Sequence, residues 1–255
     1  MISTDGNTAY VAAAFTVVPI HLAHRRAGKP IPLGNHMSMQ ASVVMPPDGR
    51  KLYVLTGSDL APLPGDVIPV NTVTGKAGRP ITRAGAASAL AMAPDGQTVY
   101  AGSTIGKGPR SSSVVIPVST STNKAGKPIR IGRPGPNAGV SSLAVTPSGK
   151  KVYVAANTAV YPVDTRTRKV GRPIKVVPHR YIPTVLAISP GGKTAWVVSV
   201  NYNSHLAAGL VTPIRISTNQ AGKPIRVGKN PVCLLITPGH PTPHPEQGSC
   251  SYVLR

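Results

Sequence analysis

The chain has 255 residues, with 26 glycines, 28 prolines, and 28 lysines and arginines against 7 acidic residues, for a formal charge of +21. Proline breaks helices and glycine weakens them, so this composition excludes a fold built on long helices, and no apolar run approaches the ~20 residues of a membrane-spanning helix. With 41% hydrophobic residues in short alternating runs, the charge does not imply disorder; it implies attraction to polyanions.

The first elements set a grammar that the rest of the chain repeats. "TDGNTAYVAAA" (4–14) is a turn followed by an alternating strand that carries Tyr10. A strand with Pro19 and Ile20 comes next, and then "AGKPI" at 27–31. The second copy has Gly49, Tyr53, Pro69 and "AGRPI" at 77–81. The third has Gly96, Tyr100, Pro117 and "AGKPI" at 125–129. The fourth has Gly149, Tyr153, Pro162 and "VGRPI" at 170–174, and the fifth has Gly192, Trp196, Pro213 and "AGKPI" at 221–225. In each copy the aromatic stands four residues after the turn glycine, and the proline stands nine before the pentapeptide glycine. A period of about 43–53 residues is the mark of solenoids, propellers and arrays.

The fourth copy shows how one unit reads as four strands. "SSLAVTP" is a short apolar strand and "PSGK" a turn whose glycine is free to take positive φ. "KVYVAAN" alternates as a half-buried strand should, and "AVYPVDT" is the third strand. "RTRKVG" is a hairpin, and "RPIKVV" is the fourth strand. Pro128 and its equivalents fit an outermost strand, where a missing N–H does no harm. Four antiparallel strands per unit make an all-β fold of β-propeller blades, about five in this chain. The repeated aromatics are expected to pack between blades. Aromatic to proline takes 9 residues in the first and fourth copies and 16 or 17 in the others. The second-to-third-strand loop is therefore variable, as is the fourth-to-first connection. In an up-and-down blade both emerge at one end, and the two short turns emerge at the other.

The segments "MAPDGQTVYAG", "VTPSGKKVYVAAN", "VYPVDTRTRKVGRPIKV" and "VTPIRISTNQAGKPIRVG" resemble the YVTN-type β-propeller repeat of bacterial secreted and surface proteins. The likeness covers roughly residues 1–238. The aspartate after the proline–aliphatic pair stands only at Asp164; His21, Asn71, Ser119 and Arg215 replace it elsewhere. The resemblance implies a propeller of a family commonly seven-bladed, with lactonase-like relatives and no single activity. It divides the chain into a repeat domain, 1–238, and an irregular tail, 239–255.

Both ends depart from the repeat. "MISTDGNTAYV" aligns inside a unit, so the first blade lacks a first strand, and "NPVCLLITPG" (230–239) matches one. Two arrangements follow. Either residues 232–237 pair beside residues 8–14 and close a five-bladed ring, or the chain is a fragment of a seven-bladed propeller. No signal peptide is visible, which is expected of a cytoplasmic protein if the chain is complete; a fragment of a family-typical protein would be secreted or on the cell surface. Cys233 and Cys250 are open to a disulfide or to two free thiols. Placing Tyr252 in the aromatic slot would put the two out of register.

Little in the sequence points to catalysis. Asp5, Asp48 and Asp95 sit where aspartate favours turns. Asp59 and Asp66 share a variable loop, and Glu246 is in the tail. His36, His179 and His205 lie in variable connections and are the candidate catalytic residues for a lactonase-like hydrolase, while Asp59 and Asp66 together make a weaker calcium or catalytic candidate. No metal-ligand spacing, nucleophile elbow or phosphate-cradling loop is present, and no cofactor is expected. The basic residues form the stronger pattern. Arg25, Arg26, Arg50, Lys51, Lys76, Lys124, Lys150, Lys151, Arg166, Arg168, Lys169 and Lys193 all fall in or beside the two short turns. The leading expectation is a non-enzymatic scaffold with a basic face for a polyanionic partner: a cell-wall polymer, an anionic lipid surface or nucleic acid bound without sequence preference. A protein partner at the variable loops is compatible with it.

Overall fold

The computed structural model describes residues 1–13, 15–34, 42–56, 66–81, 86–176, 180–204, 207–236 and 249–250. Among them the only helical element is a short 3-10 turn, Gly108–Arg110; the rest is antiparallel strand and turn, as the composition requires. The chain forms two compact units. One is built mainly from residues 1–103 and 116–127, the other mainly from 104–115 and 128–242.

The repeats fold as consecutive sheets. The first runs Thr8–Ala13, Thr16–His21 and Arg26–Ala27, with Ile31–Pro32 also paired to Thr16–His21. The second runs Val43–Val44, Lys51–Leu55, Val67–Asn71 and Lys76–Ala77. The third, whose strands contribute to both units, runs Ala86–Met92, Thr98–Ile105, Ser112–Ser119 and Lys124–Ala125, with Ile129–Ile131 also on Ser112–Ser119. The fourth runs Val140–Val145, Lys151–Ala156 and Ala159–Asp164. The fifth runs Tyr181–Ile188, Thr194–Asn201, Ala208–Arg215 and Gln220–Ala221, with Ile225–Lys229 also on Ala208–Arg215.

The repeated pentapeptide marks one local device. The glycine N–H donates to the carbonyl of the proline nine residues earlier in all five copies: Gly28 to Pro19, Gly78 to Pro69, Gly126 to Pro117 and Gly222 to Pro213 at 2.7 Å, and Gly171 to Pro162 at 2.8 Å. The proline offers no N–H in return, so the ladder breaks there. The fourth strand consequently comes in two pieces joined by Gly-Lys-Pro or Gly-Arg-Pro, and the register slips by one residue between them. In the first sheet Ile20 faces Ala27, but Val17 faces Ile31. In the third Val118 faces Ala125, but Val115 faces Ile129. The second, fourth and fifth sheets repeat the slip. This is a β-bulge, and Pro128 and its equivalents lie inside it rather than in a continuous edge strand. Space favours the glycine. A Cβ would stand 2.9–3.2 Å from the proline Cγ in the five copies.

Each core forms between neighbouring sheets. Tyr10, Val17 and Ile31 of the first sheet cluster with Leu52, Val54, Ile68 and Val70 of the second. Tyr153, Val160 and Ile174 of the fourth cluster with Leu186, Ile188, Ala195, Val197 and Ile214 of the fifth. The aromatics occupy equivalent places on second strands, each opposite the repeat proline: Tyr10 faces Pro19, Tyr53 Pro69, Tyr153 Pro162 and Trp196 Pro213.

The two ends differ from the expectation of mutual pairing. Tyr10 N donates to Met1 O and Ser3 N to Thr8 O, both at 2.7 Å, so Met1–Ser3 lie along the inner edge of Thr8–Ala13. Ser3 thereby takes the place of Ala93, Thr146 and Ser189, which make the same bond in their own sheets. Cys233–Leu234 instead pairs with Ser249–Cys250, with Cys233 facing Cys250. Cys233 is disulfide-bonded in a chain whose other cysteine is Cys250. Tyr252 lies outside the described residues.

Two measurements test the repeat device. Gly171→Ala places a methyl 2.9 Å from Pro162 Cγ and 3.3 Å from its carbonyl oxygen. It should lower stability to urea by about 1–3 kcal/mol, whereas Gly135→Ala, with nothing within 4 Å, should stay within about 0.5 kcal/mol of the parent. The third-to-fourth-strand hairpin has a left-handed residue three before the glycine in every copy: Arg25, Gly75, Asn123, Arg168 and Asn219, at φ 49°, 62°, 53°, 60° and 56°. Arginine is ill suited to that region. Arg25→Gly and Arg168→Gly should each raise stability by about 0.5–1 kcal/mol in the same assay; a loss would show that the arginine side chains hold the hairpins in another way.

Candidate functional site

The two short turns of a sheet lie at one end and are bonded to each other. Thr72 Oγ1 donates to Gly49 O at 2.7 Å, Thr120 Oγ1 to Gly96 O at 2.8 Å and Thr165 Oγ1 to Gly149 O at 2.7 Å. The threonine follows the repeat proline by three residues in these copies, a spacing present in the sequence but not recognised there as a latch. Each first turn is itself closed by the glycine N–H bonding back three residues, at 2.8–3.0 Å in all five copies.

The turn aspartates serve the backbone. Asp5, Asp48 and Asp95 accept from the N–H groups of Asn7, Arg50 and Gln97 at 3.0, 3.1 and 2.9 Å. Hydrogen bonds from Ser3 and Asn7 hold the Asp5 carboxyl below the usual carboxylate range. Asp164 accepts from Thr167 N and Oγ1, both at 2.7 Å, which lowers its pKa likewise. These carboxylates are engaged within their own turns.

Around this scaffold Arg25, Arg26, Arg50, Lys76, Lys124, Lys150, Arg166, Arg168, Lys169 and Lys193 are exposed. Lys51 and Lys151 are half-buried. Lys51 Nζ donates to Thr120 O at 2.8 Å, so it ties the second sheet to the hairpin of the third. Lys151 stands opposite Asp164 across the strand pair. These two lysines are therefore partly structural. In the second unit a shallow cleft of about 340 Å³ opens at the turn end, lined by Ser148, Lys150 and Lys151 of the fourth sheet and by Gly191, Gly192 and Ser217 of the fifth.

The repeat tyrosines latch neighbouring sheets at the same end. Tyr53 Oη donates to Asn123 Oδ1 at 2.8 Å and lies 3.2 Å from Thr120 O. Tyr153 Oη donates to Asn219 Oδ1 at 2.6 Å and lies 3.4 Å from Ile216 O. Burial pushes the Tyr53 and Tyr153 hydroxyls up to about 12. The rings are inter-sheet packing, not a platform for stacking bases. The asparagine partners had no visible role in the sequence, because their value lies in combining left-handed φ with an acceptor for the next sheet's tyrosine.

At the other end, Gly135 N donates to Ser111 O at 2.8 Å, bringing the connection after the third sheet against that sheet's variable loop. His36, His179 and His205 lie outside the described residues, as do Asp59 and Glu246. Asp66 is half-buried and its carbonyl accepts from Thr56 N at 2.9 Å. Among the described residues no group of three His, Cys, Asp or Glu could hold a metal ion, and no helix is long and apolar enough to cross a membrane.

Successive four-stranded antiparallel sheets packed face to face define a β-propeller fold. Solved structures agree. The chain is similar to hydrazine synthase of Kuenenia stuttgartiensis, with a TM-score of 0.72 and 18% identity over 89% of this chain and 64% of that one. It is also similar to a TolB-like protein of Agrobacterium tumefaciens, with a TM-score of 0.55 and 14% identity over 89% of this chain and 80% of that one. Both are β-propeller folds, and at these identities the likeness concerns the fold alone. The chain spans 64% of the length of the hydrazine synthase chain. No family model matches the chain, and no curated protein matches it.

The tyrosine latch has a pH signature. Folded-state pKa values of about 12 lie above the ordinary value of 10, so the neutral phenols favour the folded state. That contribution is whole below pH 10 and is lost as pH rises towards 12. Ultraviolet titration should show Tyr53 and Tyr153 ionising above the ordinary range of a free phenol. Tyr153→Phe should cost about 1 kcal/mol at neutral pH and should reduce the loss of stability between pH 10 and 12. An unchanged alkaline transition would remove the latch from the account.

Proposed function

We propose that this protein is a non-enzymatic β-propeller scaffold whose turn end contacts polyanions through electrostatics. The observation that carries the reading is the pairing of both short turns at one end of a sheet by the threonine bonds, with exposed lysines and arginines on both turns. The carboxylates at the same turns are engaged by backbone N–H groups. A formal charge of +21 exceeds what solubility requires of a chain with 7 acids. Binding of this kind needs no pocket and reads no sequence, and it gains free energy chiefly from counterion release. The repeat pattern supports kinship with YVTN-type propellers of bacterial surfaces, and residues 1–238 form the repeat domain in this reading. A cell-wall polymer, an anionic lipid surface or nucleic acid would each present the required charge.

The test is retention on heparin and on anionic vesicles from low to moderate salt. Retention should fall steeply with salt; on duplex DNA about six phosphate contacts would give a log–log slope on the order of −5. Replacing the exposed Lys150, Arg166, Arg168 and Lys169 together by glutamine should shift elution to lower salt. Replacing His36 and His205 should not. A parent chain that elutes without salt dependence, or a quadruple variant retained as firmly as the parent, would reduce the basic residues to a solubility device.

A further inference from the structure

Not all the positive charge lies at the turn end. Cations of the third sheet gather at its opposite end, within the second unit: Lys107 and Arg110 on the variable loop, Arg130 on the fourth strand and Arg133 on the connection that follows. All are exposed. One hydrogen bond brings their segments together. Gly135 N donates to Ser111 O at 2.8 Å; Arg110 precedes the acceptor by one residue, and Arg133 precedes the donor by two. The next residue, Ser112, accepts from Arg130 Nη1 at 3.1 Å, so this guanidinium is anchored beside the same junction. The fifth sheet gives the contrast. Ala208 stands where Ser112 does, and Arg226, in the place of Arg130, has no hydroxyl to reach there.

The backbone of this junction is held in place. Ser111 N donates to Gly108 O at 3.0 Å and Arg110 N to Lys107 O at 3.3 Å, which closes the variable loop on itself. Gly106 turns with φ 88°, where a Cβ would stand 2.7 Å from Arg110 O. On the facing connection Gly132 turns with φ 67° against Tyr161 Oη, again 2.7 Å from where a Cβ would be. Thr104 Oγ1 donates to Ala138 O at 3.3 Å and Gly139 N to Ser113 Oγ at 2.9 Å, tying the two segments further. A backbone fixed before binding loses less freedom when a ligand arrives. Among the described residues of this unit the one carboxylate is Asp164, which is at the turn end and held by Thr167, so no acid among them offsets these cations.

We infer that this junction is a second anion site and that it takes a compact tetrahedral oxyanion, the phosphate or sulfate group, through the N–H forks of its arginines. Arginine supplies all but one of its cations, and the planar guanidinium gives two parallel hydrogen bonds to an oxyanion where lysine gives a point charge. The inference is independent of the turn-end reading, since it concerns other residues, the other end of the sheet and a small ligand rather than a polymer. The two also differ in their response to salt. Contacts at hydrogen-bond distance lie well inside the Debye length of ~8 Å at physiological salt, so a dilute oxyanion is held there at an ionic strength that weakens diffuse attraction.

Amide chemical shifts of the isotope-labelled full chain test the inference, followed while inorganic phosphate is titrated at a constant ionic strength of about 0.15 M in chloride. Saturable shifts should gather at residues 107–112 and 130–135. Arg110→Gln and Arg133→Gln should each weaken binding about tenfold. Lys175→Gln and Arg226→Gln, which remove the same charge at the equivalent strand position of the next two sheets, should leave it within about twofold. Arg110→Lys keeps the charge and loses the fork, so it should bind several-fold more weakly than the parent. Inorganic sulfate and glycerol 3-phosphate, titrated in the same way, separate the sources. Sulfate bound as firmly as phosphate marks a site for either group, glycerol 3-phosphate bound as firmly marks one open to a phosphate carried on a larger molecule, and binding of neither marks free phosphate as the ligand. The same spectra show whether each variant is folded; where a glutamine variant is not, Arg110→Lys carries the test. Shifts that spread over all the basic turns without saturating overturn the inference. So do folded glutamine variants that bind as the parent does, and an Arg110→Lys variant equal to the parent.

Discussion

A proline ring on the third strand of each sheet fills the space where a side chain on the fourth strand would begin, and most of the architecture follows from that contact. Glycine fits against it without displacing the ring. The glycine N–H reaches the proline carbonyl, and because proline has nothing to give back the ladder fails at that point. The fourth strand absorbs the failure by gaining one residue. A second proline is then harmless within the bulge, since its missing N–H would have found no acceptor there. The same third-strand proline lies across from the aromatic of the second strand, so the ring that packs between sheets is set by the residue that sets the bulge. Five similar pentapeptides are five solutions of one steric problem.

The sequence made the blades legible because their determinants are local and repeated. The turn glycines, the alternation around Tyr153 and the proline–glycine spacing are each visible without knowing what lies across the sheet. Contacts between sheets were less legible. Tyr53 meets Asn123, and Tyr153 meets Asn219, over separations that no spacing rule reports. The reading of Pro128 as an edge residue was near the mark in place but missed the bulge, because a one-residue register slip leaves no trace in hydrophobic periodicity. The chain ends were least legible. Aligning "NPVCLLITPG" with a first strand is sound as a pattern, yet Met1–Ser3 already bond along Thr8–Ala13, and backbone groups near in sequence close a pair at lower entropic cost than distant ones. Of the candidate site, the basic turns could be read because charge is written residue by residue.

The hairpin residue in the left-handed region shows how charge and backbone preference compete. Asn123 and Asn219 satisfy both the positive φ and a tyrosine hydroxyl, and Gly75 satisfies φ alone. Arg25 and Arg168 satisfy neither well, and both are exposed. Their backbones cost more than asparagine would at the same place, while they add two cations to the turn end. Placing arginine where asparagine folds better is what a surface kept for its charge would do, and strain of this kind is commonly held at functional positions.

The two ends of the sheets obey different constraints. At the turn end Tyr53 is bonded to Thr120 and Asn123, and Tyr153 to Ile216 and Asn219, so an inserted residue there would break several hydrogen bonds at once. The spacing from turn glycine to aromatic, and from proline to pentapeptide glycine, is accordingly the same in every copy. At the opposite end the distance from aromatic to proline changes from 9 to 17 residues without disturbing the latch, because lengthening a loop costs only slowly more entropy. Fixed length makes the turn end a rigid support on which charge can be held at constant spacing, which suits a periodic polyanion. Free length makes the other end adaptable, which suits a partner read by shape.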